Sequence, residues 1–177
     1  MRYITILLLL AISHFASAQS RFEKLEEYFV GLGAGRLNTN LEDYGNNDLI
    51  FTSAELIGGY KKNSYVSFDI RIGAGTTSEE FVNETSGVEE VKISNYYSLY
   101  WRPESANEDA KLYALIGYST VNTKIEDDSG SESGLSYGAG VGFRLNDDMN
   151  INFEWRWLLN TDIAEFSLLT ANVDYRF

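Results

Sequence analysis

The sequence predicts an all-β fold: an eight-stranded antiparallel up-and-down transmembrane β-barrel, preceded by a cleavable signal peptide. Three observations predict it. Apolar and polar residues alternate with a period of two from about residue 27 to residue 177, which is the period of a β-strand. The alternating runs are about 10–14 residues long, whereas strands of soluble proteins average about 5–6 residues and tilted transmembrane strands need about 9–11. The connections are short and long in turn, as in a barrel with turns on one side of a membrane and loops on the other.

The first 18 residues have the features of a signal peptide. Arg2 supplies a positive charge, residues 4–12 form an apolar run, and Ala16 and Ala18 are the small residues that precede a cleavage site. The run is shorter than the ~20 apolar residues of a spanning helix, which disfavours an uncleaved anchor. The predicted organisation is a signal peptide over 1–18, a short periplasmic N-terminal segment over 19–26, and an outer-membrane β-barrel over 27–177.

The composition excludes several functional classes. The chain of 177 residues has a net charge of −12, which disfavours nucleic-acid binding because a phosphate backbone needs a basic surface. It contains no cysteine, so disulfides, thiolate metal sites and cysteine nucleophiles are excluded. The one histidine, His14, lies in the predicted signal peptide. The mature chain would therefore lack histidine-based catalysis and histidine metal ligands.

Eight alternating runs are predicted as the strands. They cover residues 27–37, 51–61, 64–76, 89–102, 111–122, 134–145, 149–160 and 166–177. The longer connections after the first, third and fifth runs are predicted as loops, and they cover residues 38–50, 77–88 and 123–133. These loops contain many of the acidic residues. Short turns connect the other runs, which places all the long loops on one side of the membrane.

Each run divides into an apolar face and a polar face. In the last run the apolar face is Leu169, Ala171, Val173, Tyr175 and Phe177. The same parity assigns Val91, Ile93 and Leu159 to apolar faces, whereas the fifth run is apolar on both faces and has no assigned parity. A soluble barrel would alternate in the same way, with its apolar face inside. A membrane barrel instead turns its apolar face to lipid.

Aromatic residues and glycines favour the membrane interpretation. The predicted aromatic girdle at the short-turn rim consists of Tyr28, Tyr60, Trp101, Phe143, Tyr175 and Phe177. Glycine is concentrated on the polar face, most clearly at Gly138, Gly140 and Gly142. A water-facing strand surface gains nothing from glycine. A crowded barrel interior favours glycine, because neighbouring bulky side chains need the space.

The charged residues of the polar faces predict an ion-paired interior. The predicted network contains Glu55, Asp69, Arg71, Lys92, Arg102, Arg144, Glu154, Arg156, Asp174 and Arg176. Such charges must be compensated because burying an isolated charge costs several kcal/mol. Turn lengths predict that Glu55 faces Arg71 and that Gly140 faces Glu154 across their hairpins. The interior of an eight-stranded barrel is just wide enough to be filled by side chains, so we expect a closed interior.

Three segments resemble the small eight-stranded outer-membrane β-barrel family, which includes outer-membrane protein X and the membrane domain of outer-membrane protein A. The matching segments are residues 28–35, residues 138–143 and the terminal residues 173–177. Val173, Tyr175 and Phe177 resemble the signal that the barrel-assembly machinery reads in this family. The resemblance implies residence in the outer membrane of a Gram-negative bacterium. It leaves the role open, since such barrels serve many functions.

These observations predict a non-enzymatic barrel without cofactor or metal, which acts in envelope integrity or in surface contact through acidic extracellular loops. The expected partners are membrane lipid, lipopolysaccharide, the barrel-assembly machinery and periplasmic chaperones, with no nucleic acid. The barrel is expected to be a monomer, and the sequence names no extracellular partner. Two alternatives remain open at this point. One is a narrow porin-like channel or carrier for small solutes, and the other is a soluble exported ligand-binding β-barrel.

Overall fold

The computed structural model describes residues 27–41, 47–83, 87–105, 107, 109–125, 128–160 and 164–177. The predicted signal peptide and the segment 19–26 lie outside these residues. The strands are β1 (Glu27–Leu41), β2 (Asn47–Asn63), β3 (Val66–Gly75), β4 (Ser78–Asn83), β5 (Gly87–Pro103), β6 (Ala110–Ile125), β7 (Asp128–Arg144), β8 (Met149–Asn160) and β9 (Ala164–Arg176). Among the described residues no helix is long and apolar enough to cross a membrane.

The strands form a closed antiparallel barrel with eight strand positions. β1 pairs with β2 on one side and with β9 on the other. β3 and β4 both pair with β5 and together occupy one position in the wall. Phe177 and Tyr28 exchange backbone hydrogen bonds of 3.0 and 3.3 Å where the first and last strands meet. The predicted fold is confirmed, and its closure satisfies the backbone polar groups that lipid cannot.

The strands extend further toward the long-loop end than the sequence predicts. Much of each predicted loop is strand: β2 begins at Asn47, β4 occupies part of 77–88, and β7 begins at Asp128. Several strands contain 15–17 residues. A 17-residue strand is about 55 Å long and at the usual tilt rises about 40 Å, whereas the apolar band of an outer-membrane barrel is about 25 Å tall. The long-loop end therefore projects beyond the membrane.

Asparagine side chains stabilise two of the short turns. Asn146 accepts backbone hydrogen bonds from Asp148 and Met149, at 3.0 and 2.9 Å, and Asn63 accepts one from Tyr65 at 2.9 Å. The β7–β8 register is as predicted, with Gly140 opposite Glu154.

The predicted β2–β3 register is wrong by two residues. Glu55 faces Gly73, and Arg71 faces Ile57. The reason is the position of the turn, which lies at Ser64 and Tyr65, whereas the prediction assumed a three-residue loop at 62–64. The irregularity between Lys61 and Asn63 shifts the pairing back by one residue.

The short-turn half of the molecule, which we call the lower barrel, has an apolar outer surface. Its exposed side chains include Leu32, Leu56, Ile70, Leu99, Ile116, Tyr137, Phe153 and Leu169. β6, whose parity the sequence leaves open, turns Leu112 and Ile116 outward and Leu115 inward. Such an extensive apolar surface is unfavourable in water and suits a lipid environment.

Aromatic side chains border this apolar surface at both ends. At the short-turn rim the ring of Tyr28 lies 5.2 Å from that of Tyr60 and 6.4 Å from that of Phe177. At the other border the rings of Trp155 and Trp157 lie 4.2 Å apart, and Tyr137 lies 5.1 Å from Trp157. The predicted aromatic girdle covers only the first rim. Aromatic side chains favour the two membrane–water interfaces, so the rims mark the limits of the lipid-embedded part.

Above the second rim the wall separates into two sheets, which we call the upper sandwich. Pairing between β2 and β3 ends at Ser53–Gly75, and pairing between β7 and β8 ends at Tyr137–Trp157. One sheet contains the upper parts of β8, β9, β1 and β2, and the other contains β4 and the upper parts of β5, β6 and β7. Each sheet remains internally paired, and the described residues of the wall show no strand pairing at the two seams between the sheets.

The polarity of the wall is reversed in the upper sandwich. Arg36, Thr52, Lys92 and Ser133 are exposed there, while the space between the sheets holds an apolar core. That core consists of Leu37, Leu49, Phe51, Val91, Ile93, Tyr96, Val121, Leu158, Leu159, Phe166 and Leu168. A sheet that stands in water buries its apolar face against another sheet, which explains the reversal.

Two β-bulges overturn three assignments from the sequence, whereas β1, β2, β6 and β9 keep the same inward parity through both parts of the molecule. The register shifts between Ile93 and Asn95 in β5, and between Trp157 and Leu159 in β8. Each shift changes which side chains point inward. Ile93, Val91 and Leu159, which were assigned to the lipid face, are therefore buried in the upper core.

A charge at the centre of the apolar surface should prevent insertion. Phe153→Arg should lower the free energy of unfolding in lipid vesicles by about 2–4 kcal/mol, because Phe153 lies on the lipid face of β8. The matched control is Ser133→Arg, on the exposed outer face of the upper sandwich. Urea titration of vesicle-folded protein measures both. Equal midpoints for the two variants would contradict the assigned membrane position.

Candidate functional site: the interior of the barrel

Arg71 lies at the centre of a buried ion-pair layer in the lower barrel. Its guanidinium donates to both carboxylate oxygens of Glu154, with the Nη2–Oε1 distance at 3.0 Å. It also donates to Asp69 at 2.7 Å. The side chains of all three residues are completely buried. One arginine thus joins β3 to β8 across the interior, through charge-assisted hydrogen bonds that are stronger than neutral ones.

Arg156 and Glu55 form the second half of this layer. Arg156 Nη2 donates to the two oxygens of Glu55 at 2.8 and 2.6 Å, although the residues are 101 positions apart in the chain. Arg71 Nη1 lies 3.5 Å from Glu55 Oε1. The predicted contact between Glu55 and Arg71 is therefore present, but it is diagonal and secondary to the pair with Arg156. The layer cross-links β2, β3 and β8.

Tyrosines complete the layer and fill space left by glycines. The Tyr113 hydroxyl donates to Glu154 at 2.7 Å, and the Tyr96 hydroxyl donates to Glu55 at 3.3 Å. A Cβ atom at Gly140 would meet the Tyr113 ring at 2.4 Å, and one at Gly73 would meet the Tyr96 ring at 2.1 Å. These positions must be glycine because aromatic rings occupy the place of a side chain.

A second charged cluster lies at the short-turn end. Glu104 accepts from Lys61 at 3.1 Å and from Arg102 at 3.1 Å, and Lys111 lies 3.7 Å away. Arg102 also donates to Asp69 at 3.2 Å, which connects this cluster to the central layer.

Glu104 lies in the turn after β5, outside the membrane-spanning strand. Burial alone would raise its pKa, but the charges of Arg102 and the two lysines outweigh burial and lower the pKa to about 2. Glu104 is therefore ionised at any physiological pH.

The structure brings most of the predicted network together. Glu55, Asp69, Arg71, Arg102, Glu154, Arg156 and Asp174 are buried in the interior. Asp174 accepts from Asn150 and Asn152, at 2.6 and 2.7 Å. Arg176 lies at the rim, 3.9 Å from both Glu27 and Asp174.

Two predicted members lie elsewhere. Lys92 is exposed on the outer face of the upper sandwich, because the β5 bulge reverses its parity. Arg144 is exposed at the β7–β8 turn, where it lies 3.6 Å from Asp147.

Three interior residues are absent from the predicted network: Lys61, Glu104 and Lys111. Lys61 has the same strand parity as Glu55, so the alternation could have identified it. Glu104 lies two residues beyond the predicted strand 89–102, and it joins the wall by an isolated bridge to Tyr113. Lys111 belongs to the run of unassigned parity. Its place inside depends on pairing with β5 and β7.

Charged and aromatic side chains are packed into the interior of the lower barrel. Each buried carboxylate of the two clusters accepts a hydrogen bond from an arginine, lysine, asparagine or tyrosine side chain; these are Glu55, Asp69, Glu104, Glu154 and Asp174. Among the described residues no group of three or more Asp, Glu, His or Cys is arranged to hold a metal ion. The geometry is that of a packed, charge-compensated core.

An apolar belt with two aromatic rims, a closed antiparallel wall and a packed polar interior define a small integral outer-membrane β-barrel. The chain belongs to the family described as outer membrane protein beta-barrel domain, whose model matches residues 4–177. The protein resides in the outer membrane of a Gram-negative bacterium. No curated protein sequence matches it.

Solved structures of similar fold include three outer-membrane proteins. Ail of Yersinia pestis, whose crystal structure holds the heparin analogue sucrose octasulfate, has a TM-score of 0.64 at 19% identity, over 86% of this chain and 99% of Ail. Neisserial surface protein A has a TM-score of 0.63 at 12% identity, over 85% of this chain and 97% of that protein. OprG of Pseudomonas aeruginosa has a TM-score of 0.51 at 11% identity, over 86% of this chain and 95% of OprG. At these identities the likeness is one of fold.

Removing one charge from the central layer should destabilise the barrel. Glu55→Gln leaves Arg156 buried without its carboxylate partner, and the expected loss of unfolding free energy is about 3–5 kcal/mol. Glu90→Gln is the matched control, because Glu90 is exposed. The urea midpoints of both variants in lipid vesicles measure the effect. If Glu55→Gln unfolds at the same urea concentration as the control, the layer does not stabilise the protein.

Proposed function

We propose that the protein is a non-enzymatic, closed outer-membrane barrel that makes surface contacts through its acidic extracellular end. The single observation that carries this proposal is the division of the molecule. The lower barrel is packed with charge pairs, and the upper sandwich stands above the lipid with an apolar core of its own. Among the residues that the structure describes, side chains fill the interior of both parts.

A closed interior follows from the two packed layers. Arg71, Arg156, Tyr96 and Tyr100 are all at most 1% exposed. Phe29 adds a plug at the short-turn end, where its ring stacks 4.7 Å from the guanidinium of Arg102. Bulky side chains therefore occupy the axis at several heights, which is the expected outcome for a barrel of eight strands.

The acidic character of the extracellular end indicates the kind of surface it contacts. The chain segments 37–54 and 74–91 contain eight acidic residues and no lysine or arginine: Glu42, Asp43, Asp48, Glu79, Glu80, Glu84, Glu89 and Glu90. Residues 125–143 add Glu126, Asp127, Asp128 and Glu132, again without a base. Complementary charge steers and selects partners. We therefore expect contact with positively charged surfaces.

This expectation separates the protein from its structural neighbour Ail. Ail is seen with a sulfated heparin analogue, which is a polyanion. An acidic platform would repel such a ligand, since like charges across an interface cost several kcal/mol. The shared fold therefore supports a shared location and surface display, with a different choice of partner.

The absence of enzymatic activity is proposed from the chemistry of the chain. No histidine follows His14, and the chain contains no cysteine. The buried acids of the interior are held by arginines, as described above, rather than exposed to a substrate. We further propose that lipopolysaccharide surrounds the apolar belt, and that periplasmic chaperones and the barrel-assembly machinery deliver the chain.

The closed interior predicts that the protein does not conduct. Refolded protein in planar lipid bilayers should show no stepwise conductance, because both layers fill the axis. The substitution Arg71→Ala removes the side chain that spans the interior, and it is the variant to compare. Regular conductance steps from the unaltered protein would contradict the closed barrel and favour a narrow channel.

Deleting Phe177 should slow assembly in cells. Its backbone exchanges hydrogen bonds with Tyr28 at the closure of the barrel, and its ring stacks on Tyr28. With Val173 and Tyr175 it also forms the proposed assembly signal. Outer-membrane yield after induction is the measurement, with Leu145→Ala in an exposed turn as control. Equal yields of the truncated and full-length chains would overturn the assembly signal.

A further inference from the structure

A small pocket opens at the short-turn end of the lower barrel, below the central ion-pair layer. Its walls come from β5–β9 and the turn after β5, and the charged residues that line it are Arg102, Glu104, Lys111, Asp174 and Arg176. Its enclosed part leaves a volume of about 10 Å³ to the centre of a water molecule, which is space for about one water-sized group. The pocket therefore admits one oxygen atom of a ligand, while the rest of the ligand stays at the mouth.

Positive charge is in excess beside this pocket. The central layer contains three carboxylates but only two arginines, namely Glu55, Asp69, Glu154, Arg71 and Arg156. Arg102 supplies the third positive charge through its 3.2 Å contact with Asp69. Among the described residues Glu104 then serves two lysines, Lys61 and Lys111. One carboxylate compensates one of these charges and leaves the other over.

Lys111 is the more loosely held of the two lysines. Its Nζ atom lies 3.7 Å from Glu104 Oε2, whereas Lys61 Nζ lies 3.1 Å from the same oxygen. The longer distance exceeds that of a normal hydrogen bond. The two ammonium groups are less than about 7 Å apart because they share this oxygen, and they repel each other. The Lys111 side chain is only 15% exposed, so a negative charge in the pocket would relieve a repulsion that water screens incompletely.

Arg176 borders the same pocket from β9 and is also loosely paired. Its guanidinium lies 3.9 Å from both Glu27 and Asp174, which is beyond hydrogen-bond distance. The two oxygens of Asp174 instead accept hydrogen bonds from Asn150 and Asn152. Within the described part of the chain, the guanidinium N–H groups of Arg176 therefore remain available to a ligand.

The charge and the size of the pocket together select the ligand. Two loosely paired cations on separate strands match a doubly charged group better than a single carboxylate. A phosphomonoester carries a charge of about −1.5 to −2 at pH 7 and has three strong acceptor oxygens. Arginine and lysine are the side chains that commonly bind phosphate. A single phosphate oxygen also fits the enclosed part of the pocket, whereas a sugar or an aromatic ring does not.

We propose that Lys111 and Arg176 form a binding site for a phosphate group at the periplasmic mouth of the lower barrel. One phosphate oxygen enters the pocket and accepts from Lys111, and a second accepts from Arg176 at the rim. Short turns face the periplasm in barrels of this kind, so both dissolved phosphates and the headgroups of inner-leaflet lipids reach the mouth. The site lies at the end opposite to the acidic extracellular segments and is independent of their proposed function.

Phosphorus-31 NMR of inorganic phosphate tests the site. The full chain is refolded in micelles of a phosphorus-free detergent, and the phosphate line width is measured as protein is added, with sodium chloride holding the ionic strength constant. The unaltered protein should broaden the line saturably. Lys111→Gln and Arg176→Gln should each weaken binding about tenfold, because each removes one of the two charged donors. Lys111→Arg keeps the charge and should retain most of the affinity.

Matched variants control for the change in net charge. Lys92→Gln and Arg36→Gln remove the same charges from the exposed face of the upper sandwich, and both should bind phosphate as the unaltered protein does. Heat-modifiable gel migration establishes that each variant is folded. If Lys111→Gln does not fold, Arg176→Gln at the rim decides. Equal phosphate broadening by the pocket variants and their controls would show that the proposal is wrong.

Phosphatidic acid added to the micelles identifies the source of the phosphate. This lipid has a phosphomonoester headgroup, and phosphatidylcholine, whose headgroup has no net charge, is its control. If lipid headgroups occupy the site, phosphatidic acid displaces inorganic phosphate and narrows its line. If the site takes dissolved phosphate, the line width is unchanged. A lack of saturable broadening by the unaltered protein would overturn the site and leave the proposed contact through the extracellular end untouched.

Discussion

The buried pairs between two arginines and two glutamates hold the lower barrel together. Arg71 reaches Glu154, and Arg156 reaches Glu55, so that strands on opposite sides of the wall are joined through the interior. Such pairs stabilise a protein only when geometry and further hydrogen bonds compensate the cost of desolvation. Tyr96 and Tyr113 supply those bonds here, and glycines opposite the tyrosine rings supply the space. Charge, aromatic ring and glycine are therefore one coupled arrangement.

The membrane accounts for the change of construction along the barrel axis. Within lipid the outer surface must be apolar and the backbone fully paired, so the wall closes and polar groups move inside. Above the lipid the constraint is removed, and the same strands bury apolar residues between two sheets. Bulges at Ile93–Asn95 and Trp157–Leu159 mark the change. The unpaired seams between the sheets follow from it, because two packed sheets do not need a continuous wall.

Sequence periodicity predicted the lower barrel well, because lipid outside and a polar interior inside impose a strict alternation of apolar and polar side chains along each strand. Phe153 and Glu154, for example, are assigned correctly by parity alone. A bulge adds one residue to a strand and therefore reverses the inner or outer face assigned to every side chain beyond it. The residue types around Ile93 and Leu159 do not indicate a bulge. Lys92 was misplaced for that reason. Glu104 was missed because it lies beyond the strand, where parity has no meaning. Contacts between distant strands, such as Arg156 with Glu55, depend on closure and cannot be obtained from single runs.

A double-mutant cycle tests the coupled interior most directly. The free energy of unfolding in lipid vesicles is measured for the unaltered protein, Glu55→Gln, Arg156→Met and the double variant. If the two side chains stabilise the barrel as a pair, the effects are non-additive, with a coupling energy of about 0.5–3 kcal/mol. Additive effects, within about 0.3–0.5 kcal/mol, would contradict the account, because each charge would then be compensated without the other.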